Sequence, residues 1–177
     1  MGEELQELQE HAEHSKHHPE TAPITLTMAI LAVLVATVSL LGHRSHTEEV
    51  VLQNRVSDGW AFYQAKTIRR HEDQIVVDTA ALTKDPEQAA KIKEKYEAEV
   101  DRYGEDQKEL ESEAKKLQAE QGQVRKRADR YDLSEVFLEI GLVVTSITLL
   151  SGKRPFWYAG LVMAVLGAAV AVSSSLI

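Results

Sequence analysis

Two uncharged runs, each about as long as a bilayer is thick, are separated by the most charged part of the chain. Ile24 to Gly42 carries no charged side chain over 19 residues, and Pro155 to Ile177 carries none over 23. Between them, His43 to Asp132 holds 37 charged side chains in 90 residues. A soluble core in a chain of 177 residues has no use for two separate runs of this kind, so a compact soluble fold is excluded. Helices satisfy their own backbone groups in lipid, and the expected class is an all-α membrane protein.

The sequence divides into six stretches. Residues 1–22 form a polar tail with six acids and only Lys16 as a base. That composition lacks the basic start of a signal peptide, so the run that follows reads as a permanent anchor. Residues 23–42 are the first span, roughly 28 Å of helix, opened by Pro23 where a missing N–H costs nothing. Residues 43–132 lie outside the membrane. Residues 133–150 make a second, weaker span, with Glu135 and Glu139 near headgroup depth. Residues 151–155 are a short basic loop. The third span, 156–177, begins with the interfacial aromatics Phe156, Trp157 and Tyr158.

The extramembrane stretch has one interruption, at 83–86. Asp85 reads as an N-cap, Pro86 as the first helical residue and Gln88 as the reciprocal partner of a capping box. This predicts two helices of about 60 and 70 Å, and since both outer ends enter the membrane they form a long antiparallel α-helical, coiled-coil-like hairpin. On the second helix Tyr96, Tyr103, Leu110, Leu117, Val124 and Tyr131 recur every seven residues, with Val100, Gln107, Ala114, Gln121 and Ala128 between them. The resulting 3–4 spacing is a coiled-coil seam. On the first helix, Ala61, Ile68, Ile75 and Leu82, with Ala65 and Thr79, are the expected facing row. Alanine and glutamine layers bury little area, and the hairpin is expected to gain stability from further copies of the chain. Gly104 and Gly122 interrupt the second helix as bends, close-contact points or tolerated defects.

Ser57 to Arg69 (Ser-Asp-Gly-Trp-Ala-Phe-Tyr-Gln-Ala-Lys-Thr-Ile-Arg) follows the first span. Later come Tyr131-Asp132-Leu133-Ser134-Glu135-Val136 and Lys153-Arg154-Pro155-Phe156-Trp157-Tyr158. With these segments the chain, from about residue 20 onward, resembles a bacterial membrane family catalogued only as a domain of unknown function, whose number begins with forty-three. The resemblance implies a three-helix anchor with a helical insert, and no activity, substrate or catalytic residue. The family's pattern has a bulkier polar residue in place of Gly59 and a longer basic cluster in place of Lys153-Arg154.

Candidate sites are few. His11, His14 and His18 share a helical face at a spacing that chelates Zn²⁺, Ni²⁺ or Cu²⁺, though no closed ligand set is evident and a solvated tail is the simpler reading. Asp58, Trp60, Tyr63, Gln64, Lys66 and Arg69 form a mixed aromatic and charged patch of the kind found at contact hot spots. Packing of that patch on the returning helix near Val124, Ala128 and Tyr131 is the simpler alternative. Glu135 and Glu139 lie one turn apart where the second span meets the membrane, and read either as interfacial anchors or as part of a proton or cation path. In the third span Gly160, Ala164 and Ala168 form one small-residue ridge, and Gly167, Ala171 and Ser175 a second.

Arg125, Lys126, Arg127 and Arg130 crowd the membrane end of the hairpin, where basic residues favour an anionic leaflet. Together with Arg44 they place the arm in the cytoplasm, whereas Lys153-Arg154 argues for the reverse. With no cysteine, no phosphate-binding loop and no nucleophile–base set, no cofactor and no catalysis are expected. A net charge of −8 argues against nucleic acid. The expected function is an oligomeric scaffold or adaptor of the bacterial inner membrane, whose partners are the lipid bilayer, further copies of the chain and an unidentified protein. The alternative is a small transport, channel-like or sensory component using Glu135 and Glu139 near a subunit interface.

Overall fold

A computed structural model describes residues 21–174, and the described residues are all helix and turn. Three helices follow in order: α1, Ala22–Ala80; α2, Pro86–Ser151; and α3, Arg154–Ser174. Each is long and apolar enough to cross a membrane. The protein is therefore an all-α, multi-pass membrane protein. The first apolar run and the charged stretch after it are not separate elements, since α1 continues through both for 59 residues. The second span likewise ends the 66-residue α2.

The breaks between helices have local causes. Asp85 Oδ1 accepts from the backbone N–H of Glu87 at 3.0 Å and of Gln88 at 3.4 Å, capping α2 at its start. The other half of the expected capping box is missing: among the described residues, the Gln88 side chain makes no bond back to Asp85. Glu87 instead pairs with Lys91 one turn on, at 2.7 Å. At the other end of α2, Gly152 has φ 67°, and its N–H reaches the Thr148 carbonyl at 2.9 Å. Glycine adopts this left-handed helix stop without a β-carbon clash. Only Gly152 and Lys153 separate α2 from α3, and Pro155 sits in the first turn of α3.

The described residues form two compact units, one running up to Thr47 and from Gln123 onward, the other comprising Glu48–Gly122. In the first unit Leu31 and Val38 of α1, Tyr131 and Leu138 of α2 and Ala164 of α3 make a common core, flanked by Val35, Leu142 and Ala171. Threonines in the apolar part of α1 bond to their own helix: Thr27 donates to the Pro23 carbonyl at 2.7 Å and Thr37 to that of Val33 at 2.8 Å. These threonine hydroxyls are thereby satisfied without water.

In the second unit Leu52, Val56, Ala80, Val100, Gln107 and Ala114 are buried. Along α1 the inward positions are Ile24, Met28, Leu31, Val35, Val38, Gly42, Ser45, Glu49, Leu52, Val56, Gly59, Tyr63, Lys66, Arg70, Asp73, Val77 and Ala80. They alternate steps of four and three without a break, and all but Arg70 are buried or half-buried. This corrects the expected facing row. Ile68, Ile75 and Leu82 are 59%, 61% and 81% exposed, and Ala61, Ala65 and Thr79 are exposed with them.

Candidate functional site

The extramembrane unit is joined by small and polar contacts. Gly59 on α1 faces Ala114 on α2, where an added β-carbon would sit 3.4 Å from the Ala114 β-carbon. Two turns further along α1, Lys66 Nζ lies 2.6 Å from Asp106 Oδ2 and 4.8 Å from the centre of the Tyr103 ring. The buried Gln107 side chain donates to the Thr67 hydroxyl at 2.7 Å and accepts from Arg70 Nη1 at 3.2 Å. At the other end of the unit, Gln121 Nε2 donates to Glu49 Oε1 at 3.4 Å. As the α1 position rises from 49 to 70, its α2 partner falls from 121 to 107.

These contacts split the expected aromatic patch. Trp60 and Tyr63 are half-buried and meet edge to face, their rings 5.6 Å apart at 82°. Lys66 joins them on the inward side, while Asp58, Gln64 and Arg69 point outward and are exposed. The contacts of this segment are with Ala114 and Asp106, through Gly59 and Lys66, and not with the expected Val124, Ala128 and Tyr131. Of the α2 row, Tyr96, Tyr103, Leu110 and Leu117 are half-buried and Val124 and Tyr131 buried. The intervening Val100, Gln107 and Ala114 are the more deeply buried set in this unit. Outward pairs such as Lys115 with Glu111, 2.6 Å apart, raise the lysine pKa by hydrogen bond and charge. Arg102 is raised by its bond to Tyr103 and then by the Glu99 charge.

In the membrane unit, α2 and α3 are held by backbone approach. Gly160, Ala164, Gly167 and Ser174 are buried and Ala171 half-buried, on one face of α3. Gly160 and Ala164 of the first expected ridge thus share a face with Gly167 and Ala171 of the second, Ala168 is half-buried beside them, and Ser175 lies outside the described residues. A β-carbon on Gly167 would lie 2.8 Å from Leu138 Cγ and 3.0 Å from the Ser134 carbonyl oxygen. Ser134 Oγ donates across to the Gly167 carbonyl at 2.8 Å, and Ser174 Oγ donates to that of Arg127 at 2.9 Å. Trp157 Nε1 donates to Thr27 Oγ1 on α1 at 3.2 Å. The α2 half of this contact (Ser134, Leu138, Gly141, Thr145) was not read from the sequence. Its signal is present in the 4–3–4 spacing of those residues, but the apolar neighbours Val143, Val144 and Leu149 mask it.

The polar end of this unit gathers most of the remaining candidates. His46 Nε2 lies 2.9 Å from Asp132 Oδ2, a pair missed because its members are 86 positions apart. Arg130 Nη1 donates to the Ser173 carbonyl at 3.2 Å, a cation at the carbonyl end of α3 where the helix dipole favours it. Arg125 and Lys126 are exposed and Arg127 is half-buried. Glu135 is half-buried and Glu139, one turn further along α2, is exposed. His11, His14 and His18 lie outside the described residues. Among the described residues no group of three or more His, Cys, Asp or Glu is placed to hold a metal ion.

The family model described as "Domain of unknown function (DUF4337)" matches residues 20–177. No curated protein and no solved structure matches the chain. The match takes in all three helices, including the Gly59 to Arg69 contact segment and the Lys153-Arg154-Pro155-Phe156-Trp157-Tyr158 link, and on it the chain belongs to the DUF4337 family of membrane proteins.

Proposed function

We propose that this protein is a membrane-anchored helical scaffold or adaptor that assembles from several copies of itself and performs no catalysis. In this reading the parts of α1 and α2 outside the bilayer form an antiparallel, coiled-coil-like hairpin. The hairpin lies on the cytoplasmic face of a bacterial inner membrane, with Arg125, Lys126 and Arg130 at the anionic headgroups.

The observation that carries the proposal is where the extramembrane unit places its apolar side chains. Its internal contacts use Gly59, Ala114, Lys66, Asp106, Gln107 and Thr67, while Val50, Val51, Phe62, Ile68, Ile75 and Leu82 are exposed. A unit that buries Leu52, Val56 and Val100 but leaves these six large apolar residues exposed is suited to binding another protein surface. Light scattering or native mass spectrometry in mild detergents tests this. More than one copy per particle is expected, and a monomer in every detergent would refute assembly.

A further inference from the structure

Where α2 enters the membrane unit, its charged side chains separate by sign onto two flanks. Asp132, Glu135 and Glu139 are spaced by three and four and share one flank, which Asp132 ties to His46 of α1 at 2.9 Å. Lys126 and Arg130 stand four apart on the other flank, where Arg130 Nη1 donates to the Ser173 carbonyl of α3 at 3.2 Å. Both are exposed, and among the described residues no carboxylate lies within ion-pair distance of either. The row then turns apolar. Leu133, Phe137 and Ile140 continue the spacing of three and four, with Leu133 49% and Ile140 43% exposed and Phe137 half-buried. Arg130 to Ile140 is about 15 Å of helix, about half the thickness of a hydrocarbon core.

A phospholipid has the same layout, a phosphate at the head of an acyl chain. Lipid is the neighbour of the apolar stretch because this part of α2 is long and apolar enough to span a bilayer. Charge selects the kind of lipid. From Arg125 to Arg130 there are four bases, with Asp129 the one acid among them. A zwitterionic headgroup would bring its own ammonium into that excess of positive charge, whereas a net-anionic headgroup neutralises it. Arg130 is also held in place: Ser173 takes one guanidinium nitrogen, and Nη2 and Nε remain as donors to a phosphate oxygen. Ser174 Oγ, donating to the Arg127 carbonyl at 2.9 Å, keeps the end of α3 against this turn of α2. We infer that the α3 flank of α2 is a binding site for an anionic phospholipid. The phosphate sits at Lys126 and Arg130, and an acyl chain lies along Leu133, Phe137 and Ile140. The inference rests on the headgroup placement of these bases in the function proposed above and names the lipid class that they take.

Full-length protein in mild detergent can be titrated with dioleoyl phosphatidylglycerol and dioleoyl phosphatidylcholine, and the bound lipid counted by native mass spectrometry. The wild type should retain the phosphatidylglycerol preferentially. A base at an anionic headgroup favours binding about fivefold, so Lys126→Gln should cut the preference by about that factor, and Lys126→Gln with Arg130→Gln by about tenfold or more. Arg130→Gln also gives up the Ser173 contact. Lys126→Arg with Arg130→Lys, which keeps both charges, should therefore keep the preference. Lys153→Gln with Arg154→Gln, at the other end of the span, should change it less than the first pair does. Glycerophosphoglycerol, the same headgroup without acyl chains, should not displace the lipid. Equal retention of the two lipids by the wild type overturns the inference. So does an unchanged preference in the Lys126→Gln, Arg130→Gln variant, its loss in the charge-keeping variant, a loss confined to the 153 and 154 variant, or displacement by the chain-free headgroup. If Glu113→Cys and Ser151→Cys label from opposite sides of the membrane but no lipid preference is found, the headgroup placement stands and the site is wrong. If they label from the same side, both fail.

Discussion

Gly160 of α3 meets Gly141 of α2 with no room for a side chain between them. A β-carbon added to Gly160 would lie 2.8 Å from the Gly141 carbonyl oxygen and would run into the Thr145 hydroxyl. Lipid supplies no hydrophobic drive for two helices to associate, so this contact depends on close packing and on the Ser134 to Gly167 hydrogen bond.

Gly160→Ala is therefore expected to destabilise the membrane unit. The Thr145 hydroxyl is held by its bond to the Gly141 carbonyl, that carbonyl belongs to the backbone of α2, and α3 must move outward. Overpacking of this kind costs about 1–3 kcal/mol. A lower midpoint of thermal or SDS unfolding in detergent is the expected outcome, and an unchanged midpoint would show that the two helices are not held this closely.

Gly122→Ala should act in the opposite direction. Gly122 sits inside α2, and a β-carbon there meets nothing within 4 Å. Alanine in a helix interior is favoured over glycine by about 1 kcal/mol, so the variant should melt at higher temperature by circular dichroism. Gly104→Ala should share the sign, because its nearest neighbour, the Arg70 guanidinium carbon, is at an ordinary 3.5 Å. A loss of stability at Gly122 would mean that another surface packs against it.

The helical class and the spans were legible in the sequence because runs such as Ile24 to Gly42 have few other uses. The first-helix row was not. Ala61, Ile68 and Ile75 are more apolar than Gly59, Lys66 and Asp73, and hydrophobic periodicity selects the greasier of two rows with equal spacing. The helix turns the other row inward, the row in phase with Ile24, Leu31 and Val38 along one unbroken α1. Lys66 and Arg70 tolerate this position because their stems pack while their charged ends reach Asp106 and Gln107. Nothing local in the sequence reveals such pairings across α1 and α2. The small-residue ridge of α3 was visible as composition, but its partner Gly141 acquires meaning only once α2 and α3 are brought together.

The Lys66–Asp106 pair should contribute little to stability. Both side chains keep about a third of their surface in solvent, 33% and 36%, and exposed pairs are typically worth 0.2–1 kcal/mol, roughly, after side-chain entropy is paid. A double-mutant cycle with Lys66→Met and Asp106→Asn should give a coupling of no more than about 1 kcal/mol, shrinking in high salt. A large, salt-insensitive coupling would show that the pair is shielded from water, as a second copy packed over it would cause.

Membrane orientation decides which partners the arm can meet, and single cysteines can read it. Glu87→Cys and Glu113→Cys should label alike, because both lie on α2 ahead of its apolar segment. Ser151→Cys should label oppositely, because that segment crosses the bilayer in between. With Arg125, Lys126 and Arg130 setting the orientation, a membrane-impermeant thiol reagent applied to intact cells should spare Glu113→Cys and modify Ser151→Cys. Labelling of Glu113→Cys with protection of Ser151→Cys would place the arm outside the cytoplasm and make Lys153-Arg154 the dominant signal. Equal labelling at both positions would count more heavily, since it would mean that the apolar end of α2 does not cross. The close contacts of Gly160 and Gly167 with α2 would then have to form outside the hydrocarbon, where Val143, Val162, Val165 and Leu166, all exposed, would face water instead of lipid.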